Sequence, residues 1–193
     1  MKFIITIVAL ALIVISLFWG YNSNKPVIII ETELGDIKVE LYEKEAPITV
    51  ANFLRYVDSS KFINSTFYRT VTPDNQPYNN VKIEVIQGGL YEEDKMFPPI
   101  EHETTDKTGI LHKDGVISMA RNEPGTATSE FFICVGDQPE LDFGGKRNPD
   151  GQGFAAFGKV IDGMGVVKRI HNWPETRQTL DPKIRINNIY RAP

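Results

Sequence analysis

The sequence predicts a mostly-β domain: a closed antiparallel sheet covered by two helices. Three observations lead there. Short runs of apolar and β-branched residues, several alternating with polar ones, recur between turn signals from residue 27 to residue 190, the pattern of half-buried strands. Two stretches, one after Pro47 and one after Asp162, carry a helical apolar face instead. Aromatic residues make up 10% of the chain, so a body of about 165 residues can bury one good core. Many short strands with two helices fit a sheet closed on itself beneath helical covers.

The first 25 residues stand apart. Phe3 to Trp19 reads FIITIVALALIVISLFW, and no charge occurs from Phe3 to Asn24. As a helix those residues would span about 33 Å, against about 30 Å for a bilayer core. Three readings are open: an uncleaved anchor, a cleaved signal peptide and a buried core helix. Lys2 precedes the run, as expected for a cytoplasmic start. Cleavage needs small residues just before the cut, but Phe18 and Trp19 stand there. No Cys follows to carry a lipid. Trp19 and Tyr21 suit interfacial anchors. The expectation is a signal-anchor and linker over 1–25 and a folded domain over 26–193. That domain is membrane-anchored outside the cytoplasm (periplasmic in a Gram-negative cell), or secreted there if the segment is cleaved.

Each element of the domain has a local reason. Val27 to Ile30 is β-branched, Ile37, Val39 and Leu41 alternate with Asp36, Lys38 and Glu40, and Leu34-Gly35-Asp36 breaks the run into a hairpin. Pro47 suits the first turn of a helix, and Val50, Phe53, Leu54 and Val57 form its apolar face. Strand patterns follow in STFYRTV, VKIEVIQG, DGVISMA, SEFFICV and GFAAFGKVI. A second helix turns Val166, Val167 and Ile170 inward. The last strand, KIRINNIY, alternates Ile184, Ile186 and, after an irregularity, Ile189. Residues 72–80 and 142–153 read as loops.

Composition narrows the function. Lys2 and Lys25 take two of the 21 basic residues, leaving 19 against 25 acidic ones, a net −6 for the body. That disfavours nucleic acid, whose phosphates need clustered Lys and Arg. The single Cys134 excludes an internal disulfide and any zinc site with two cysteines. Within FFICV it reads as a small core residue. His102, His112, His171 and the acidic Glu101 and Glu103 lack metal-ligand spacing and read as solvated loop residues. Gly151 to Ala156 matches G-x-G-x-x-A, but a turn precedes it and a strand follows, the wrong context for a dinucleotide.

One constellation is specific. Phe67-Tyr68-Arg69, Val85-Ile86-Gln87-Gly88-Gly89, Ile117-Ser118-Met119-Ala120, Ser129-Glu130-Phe131-Phe132-Ile133, Phe157-Gly158-Lys159-Val160 and Gly163-Met164 occur in this order. Together they resemble the cyclophilin-type peptidyl-prolyl cis-trans isomerases over residues 27–190, with PELDFGGKRNPDGQGFAAFGKV similar to the bacterial members. The resemblance implies an eight-stranded closed antiparallel β-barrel capped by two α-helices. It implies Xaa-Pro isomerisation, here in the folding of exported proteins, with Pro-containing polypeptides as partners. The alternative is a cyclophilin-like binding module or chaperone that holds such segments without useful turnover.

The chemistry is arguable from the residues. A prolyl bond isomerises unaided in tens to hundreds of seconds; a 10⁴-fold acceleration requires about 5.5 kcal/mol. The barrier arises because the nitrogen lone pair is delocalised into the carbonyl. A donor aimed at that nitrogen localises the pair, and a guanidinium, always charged, suits the task. No bond breaks, so neither metal nor cofactor is required. By resemblance Arg69 is that donor; its other reading is a surface strand arginine with a carboxylate partner. Resemblance also makes Phe132 the floor of the proline pocket, Gln87 the support of the arginine, Met119 and Ala120 the backbone that holds the peptide, and Leu141 a wall.

The rim departs from the family. Glu84 and Val85 replace phenylalanine and methionine before Gln87, Arg121 an asparagine, Glu130 a glutamine, Glu140 the pocket tryptophan, Phe154 a histidine and Tyr68 the histidine beside the arginine. Residues 73–82, PDNQPYNNVK, lengthen the connection before Gln87. Weak cyclosporin binding is expected without the tryptophan. Glu84, Glu130 and Glu140 together predict a negative groove that favours peptides with Lys or Arg near the proline.

Overall fold

The computed structural model describes residues 25–90 and 92–193. Nine strands and three helices are built from the patterns above: β1 (Val27–Thr32), β2 (Gly35–Leu41), α1 (Pro47–Asp58), β3 (Ser65–Val71), β4 (Val85–Gly89), α2 (Thr105–Thr108), β5 (Val116–Met119), β6 (Phe131–Cys134), β7 (Ala155–Asp162), α3 (Met164–His171), β8 (Glu175–Thr176) and β9 (Thr179–Arg191). The sheet runs β1-β2-β7-β5-β6-β4-β3-β9, and β9 returns to pair with β1. Eight antiparallel strands therefore close a barrel and leave it no open edge. The two-residue β8 pairs outside the ring, on β9.

The two expected helices cap opposite ends. β2 links them: Asp36 and Ile37 at its start abut Gly163, which opens α3, while α1 begins six residues after its last residue, Leu41. Val50, Phe53, Leu54 and Val57 of α1 are buried. Phe53 sits 5.2 Å from Phe62, 5.5 Å from Phe131 and 5.1 Å from Phe157, centroid to centroid. One fully buried phenylalanine contributes roughly 1.5–3 kcal/mol. In α3, Val167 and Ile170 are buried and Val166 only half so.

Three features differ from expectation. A third helix, α2, is a single turn, too short for a periodic pattern to register. The last strand begins at Thr179 rather than Lys183; its irregularity is real, a register shift where Glu31 faces Asn188 and Thr32 faces Ile186. Glu103 is buried, not solvated. Its carboxylate accepts from the backbone N–H of Ile48 (3.1 Å) and Thr49 (2.8 Å) and from the Thr49 hydroxyl (2.7 Å). It thus caps the N-terminus of α1, which has no cap of its own.

Among the described residues no helix is long and apolar enough to cross a membrane; the expected anchor, Phe3 to Trp19, lies outside them.

Candidate active site

A bulge in β3 builds the site. Phe67 faces Gly88 across the ladder and Arg69 faces Gln87, so Tyr68 is the extra residue. Phe67 points into the barrel core. Strict alternation would send Arg69 inward beside it; the extra residue turns Arg69 outward instead. Tyr68 also reaches Gln87 on this outer side.

The outer face of β4 and β6 supplies the rest. Phe131 packs in the barrel and Phe132 in a separate apolar cluster with Val71, Ile83, Val85, Cys134 and Leu141, flanked by Ala120 and Phe154. This follows from their adjacency on one strand. Gly89, at φ +136°, lets the chain carrying Glu130 pass close: a Cβ there would lie 2.8 Å from Ser129 O and Glu130 Cα. Cys134 is buried in the cluster, and burial pushes its thiol up, so it stays protonated.

These residues line one groove of about 560 Å³, which contains Arg69, Val85, Gln87, Ala120, Arg121, Glu130, Phe132, Leu141 and Phe154. Met119 differs: its side chain lies in the barrel core, so at most its backbone faces the groove. Ile83, Met96, Thr126, Thr128, Arg147 and the adjoining Asn122 and Asn148 also line it; nothing in their local pattern marks them.

Arg69 is held by neutral acceptors. Its Nε and Nη2 donate to Gln178 Oε1 (3.0 and 2.7 Å), and Nη1 donates to Gln87 Oε1 (2.8 Å). Gln87 Nε2 donates to the Tyr68 hydroxyl (2.6 Å) and to Glu130 Oε2 (3.1 Å), and Tyr68 donates to the same carboxylate oxygen (2.7 Å). Burial lowers the pKa of Arg69, opposed by Tyr68 and Glu130. Burial first, and Glu130 second, raises that of Tyr68, which therefore stays a donor. Among the described residues no carboxylate stands within ion-pair distance of Arg69, unlike a surface strand arginine.

Behind the floor lies a brace. The His112 ring stacks on Phe132 at 5.9 Å and 15°. Its Nδ1 is 2.7 Å from Asp142 Oδ1 and its Nε2 2.9 Å from Ser118 Oγ. Phe154 meets Phe132 edge-on at 5.2 Å. His112 and His171 are thus buried, not solvated; His171 Nε2 lies 3.0 Å from Val71 O. Among the described residues no three His, Cys, Asp or Glu side chains converge as a metal site.

The charge of the rim reverses the expectation. Glu84 and Glu140 do not line the groove: Glu84 lies 3.9 Å from His171, and Glu140 accepts from the Lys146 N–H. One carboxylate, Glu130, stands against the guanidiniums of Arg69, Arg121 and Arg147. Arg121 is neutralised by Asp150 (2.8 Å) and bound to Gly153 O. The groove is not negative, because the acidic positions fall outside it or on neutral partners.

Comparison with known proteins places this site in context. The family model described as cyclophilin type peptidyl-prolyl cis-trans isomerase/CLD matches residues 27–191. A peptidyl-prolyl cis-trans isomerase of Acinetobacter baylyi is 38% identical over 149 residues, covering 75% of this chain and 71% of its own. Peptidyl-prolyl cis-trans isomerase B of Escherichia coli is 34% identical over 144 residues, covering 72% and 80%. A Cryptosporidium parvum cyclophilin-type isomerase crystallised with the dipeptide Ala-Pro superposes with a TM-score of 0.69 at 23% identity, over 86% of this chain and 99% of that one. At that identity the likeness carries the fold alone.

Proposed function

The chain belongs to the cyclophilin-type peptidyl-prolyl cis-trans isomerases, and from that premise we propose that Arg69 is its catalytic residue and Phe132 the floor on which the substrate proline rests. The reaction is cis-trans isomerisation of Xaa-Pro bonds. The observation that carries the assignment is Arg69 itself. It is a largely desolvated guanidinium fixed by two amide oxygens, Gln87 and Gln178, and among the described residues no carboxylate stands within ion-pair distance of it. Three of its five N–H groups are engaged, which leaves donors for the groove. In a low-dielectric groove a donor aimed at the prolyl nitrogen is worth more than in water. It withdraws the lone pair from the amide as the bond twists, and the ground state gains less, so the barrier falls.

Phe132 offers a flat apolar surface held edge-on by Phe154 and from behind by His112. Val85, Ala120 and Leu141 wall the pocket. Arg121, tied to Asp150 and Gly153, fixes the far rim. Glu140 outside the groove leaves no tryptophan to cover the pocket, so cyclosporin binds weakly. The apolar run before residue 25 supports a domain tethered to a membrane on its outer side, where it serves exported proteins.

The test is a protease-coupled assay of Xaa-Pro peptides with the full chain in non-ionic detergent. Turnover accelerated by 10⁴-fold or so over the uncatalysed rate supports the reading. Peptide binding with no acceleration would leave only the binding-module alternative.

A further inference from the structure

A second cleft of about 740 Å³ adjoins the groove. Five of its eight lining residues, Asn75 to Asn79, belong to the insertion before β4; the others are Arg147, Arg177 and Gln178. Arg147 lines both hollows. Gln178, in the cleft wall, accepts two hydrogen bonds from Arg69 and donates one to Asn75 O (2.9 Å). The two hollows therefore adjoin at Arg147.

The insertion is a built wall. Gln76 is buried; its Nε2 donates to Thr72 O (2.7 Å) and Ile83 O (2.8 Å), and its Oε1 accepts from Arg147 Nη1 (2.7 Å). Arg147 Nη1 also donates to Val81 O (2.6 Å). Its contacts are thus to neutral oxygens. Arg177 is exposed and, among the described residues, makes no side-chain hydrogen bond or ion pair. The cleft lining contains two guanidiniums and no carboxylate, on a body whose net charge is −6. Arg69 adds a third cation, and burial, with the charge of Arg69 second, depresses the pKa of Arg147. Partly buried like charges without a counter-ion are stabilised by an incoming anion.

We infer that Arg147 and Arg177, across the inserted loop, form a subsite for an acidic side chain, Asp or Glu, flanking the substrate proline. It rests on the isomerase reading for the position of the proline. At about 3.3 Å per extended residue, a carboxylate two to four residues from the proline lies roughly 7–13 Å along the chain from it. Tyr78, fully exposed at the rim, offers the same segment an aromatic surface.

The experiment uses the full chain in non-ionic detergent and Xaa-Pro peptides, acetylated and amidated so that no terminal carboxylate competes. Glu, Gln or Lys is placed two, three or four residues to either side of the proline. The expected kcat/KM is about 3–10-fold higher for the best Glu peptide than for its Gln match at low salt, falling below about twofold at 1 M. Arg177→Gln, which disturbs no contact, and Arg147→Gln should each bring the Glu/Gln ratio towards one. A ratio of one or less in the parent protein, or one unchanged in both variants, overturns the subsite. If no peptide turns over, the isomerase reading fails. Calorimetric Kd values for the same Glu and Gln peptides then decide the subsite by the same ratio.

Discussion

Arg69 gains its freedom to act from the neutrality of its partners. A carboxylate in place of Gln178 would neutralise the guanidinium and compete with substrate for its donors. Two amides orient the fork and leave its charge exposed to the groove. Arg69→Ala should lower kcat/KM by at least about 10²-fold, some 2.7 kcal/mol, with only a small change in melting temperature, since no core side chain moves. Near-parental turnover in that variant would remove the proposed mechanism. Gln178 acts through Arg69, so Gln178→Ala should reduce kcat by about 5–30-fold, with KM little changed. Gln178→Asn, which keeps the amide on a shorter arm, should recover part of it; equal losses in kcat and stability would mark it as merely structural. Gln178 was not legible in the sequence. It lies 109 residues from Arg69, in the turn between β8 and β9 at φ +73°, and no periodicity reports a contact at that range.

At the scale of elements, two loops behave as parts of the site. Residues 142–153 are pinned by Arg121, whose guanidinium bonds Asp150 and Gly153 O and lies 5.2 Å over the Phe154 ring. Gly153, at φ +62°, closes against Leu141: a Cβ would come within 2.5 Å of its carbonyl. Hydrogen bonds from Arg121 and from the Gln152 N–H hold the Asp150 carboxyl below its ordinary range. A depressed carboxyl binds fewer protons in the folded state, so this tie persists above about pH 3.9 and is lost as pH falls through the lower folded value. Asp150→Asn should speed amide exchange across 142–153 at neutral pH and leave the barrel strands unchanged; uniform protection would show that the loop holds without it. Strands such as Gly35–Leu41 were readable because one face is buried and the period is two. The Glu103 cap of α1 and the His112 brace of Phe132 were not, since both join segments far apart in sequence. The expected negative groove failed for a related reason: a strand position gives the side a residue faces, not the partner it meets.

For the whole molecule, a closed barrel gives the groove a rigid wall on β3, β4 and β6, and its specificity comes from additions outside the ring. The N-terminal run predicts a further property. If it stays as an anchor, the mature chain starts at or near Met1 and resists carbonate extraction; a mature N-terminus between Gly20 and Lys25 by mass spectrometry would establish cleavage instead. Closure also makes the barrel a device with parity. Every residue of a strand is assigned inside or outside by counting, and the odd step at Tyr68 changes the count once, just before the residue that must face out. Substituting Tyr68 leaves that count intact; deleting it removes the bulge and brings Arg69 next to Phe67, where plain alternation again faces it outward. Such a deletion should therefore yield a soluble, folded chain that has lost the Tyr68 hydrogen bonds to Gln87 and Glu130. The one residue of padding here changes what surrounds the guanidinium, not the side it faces.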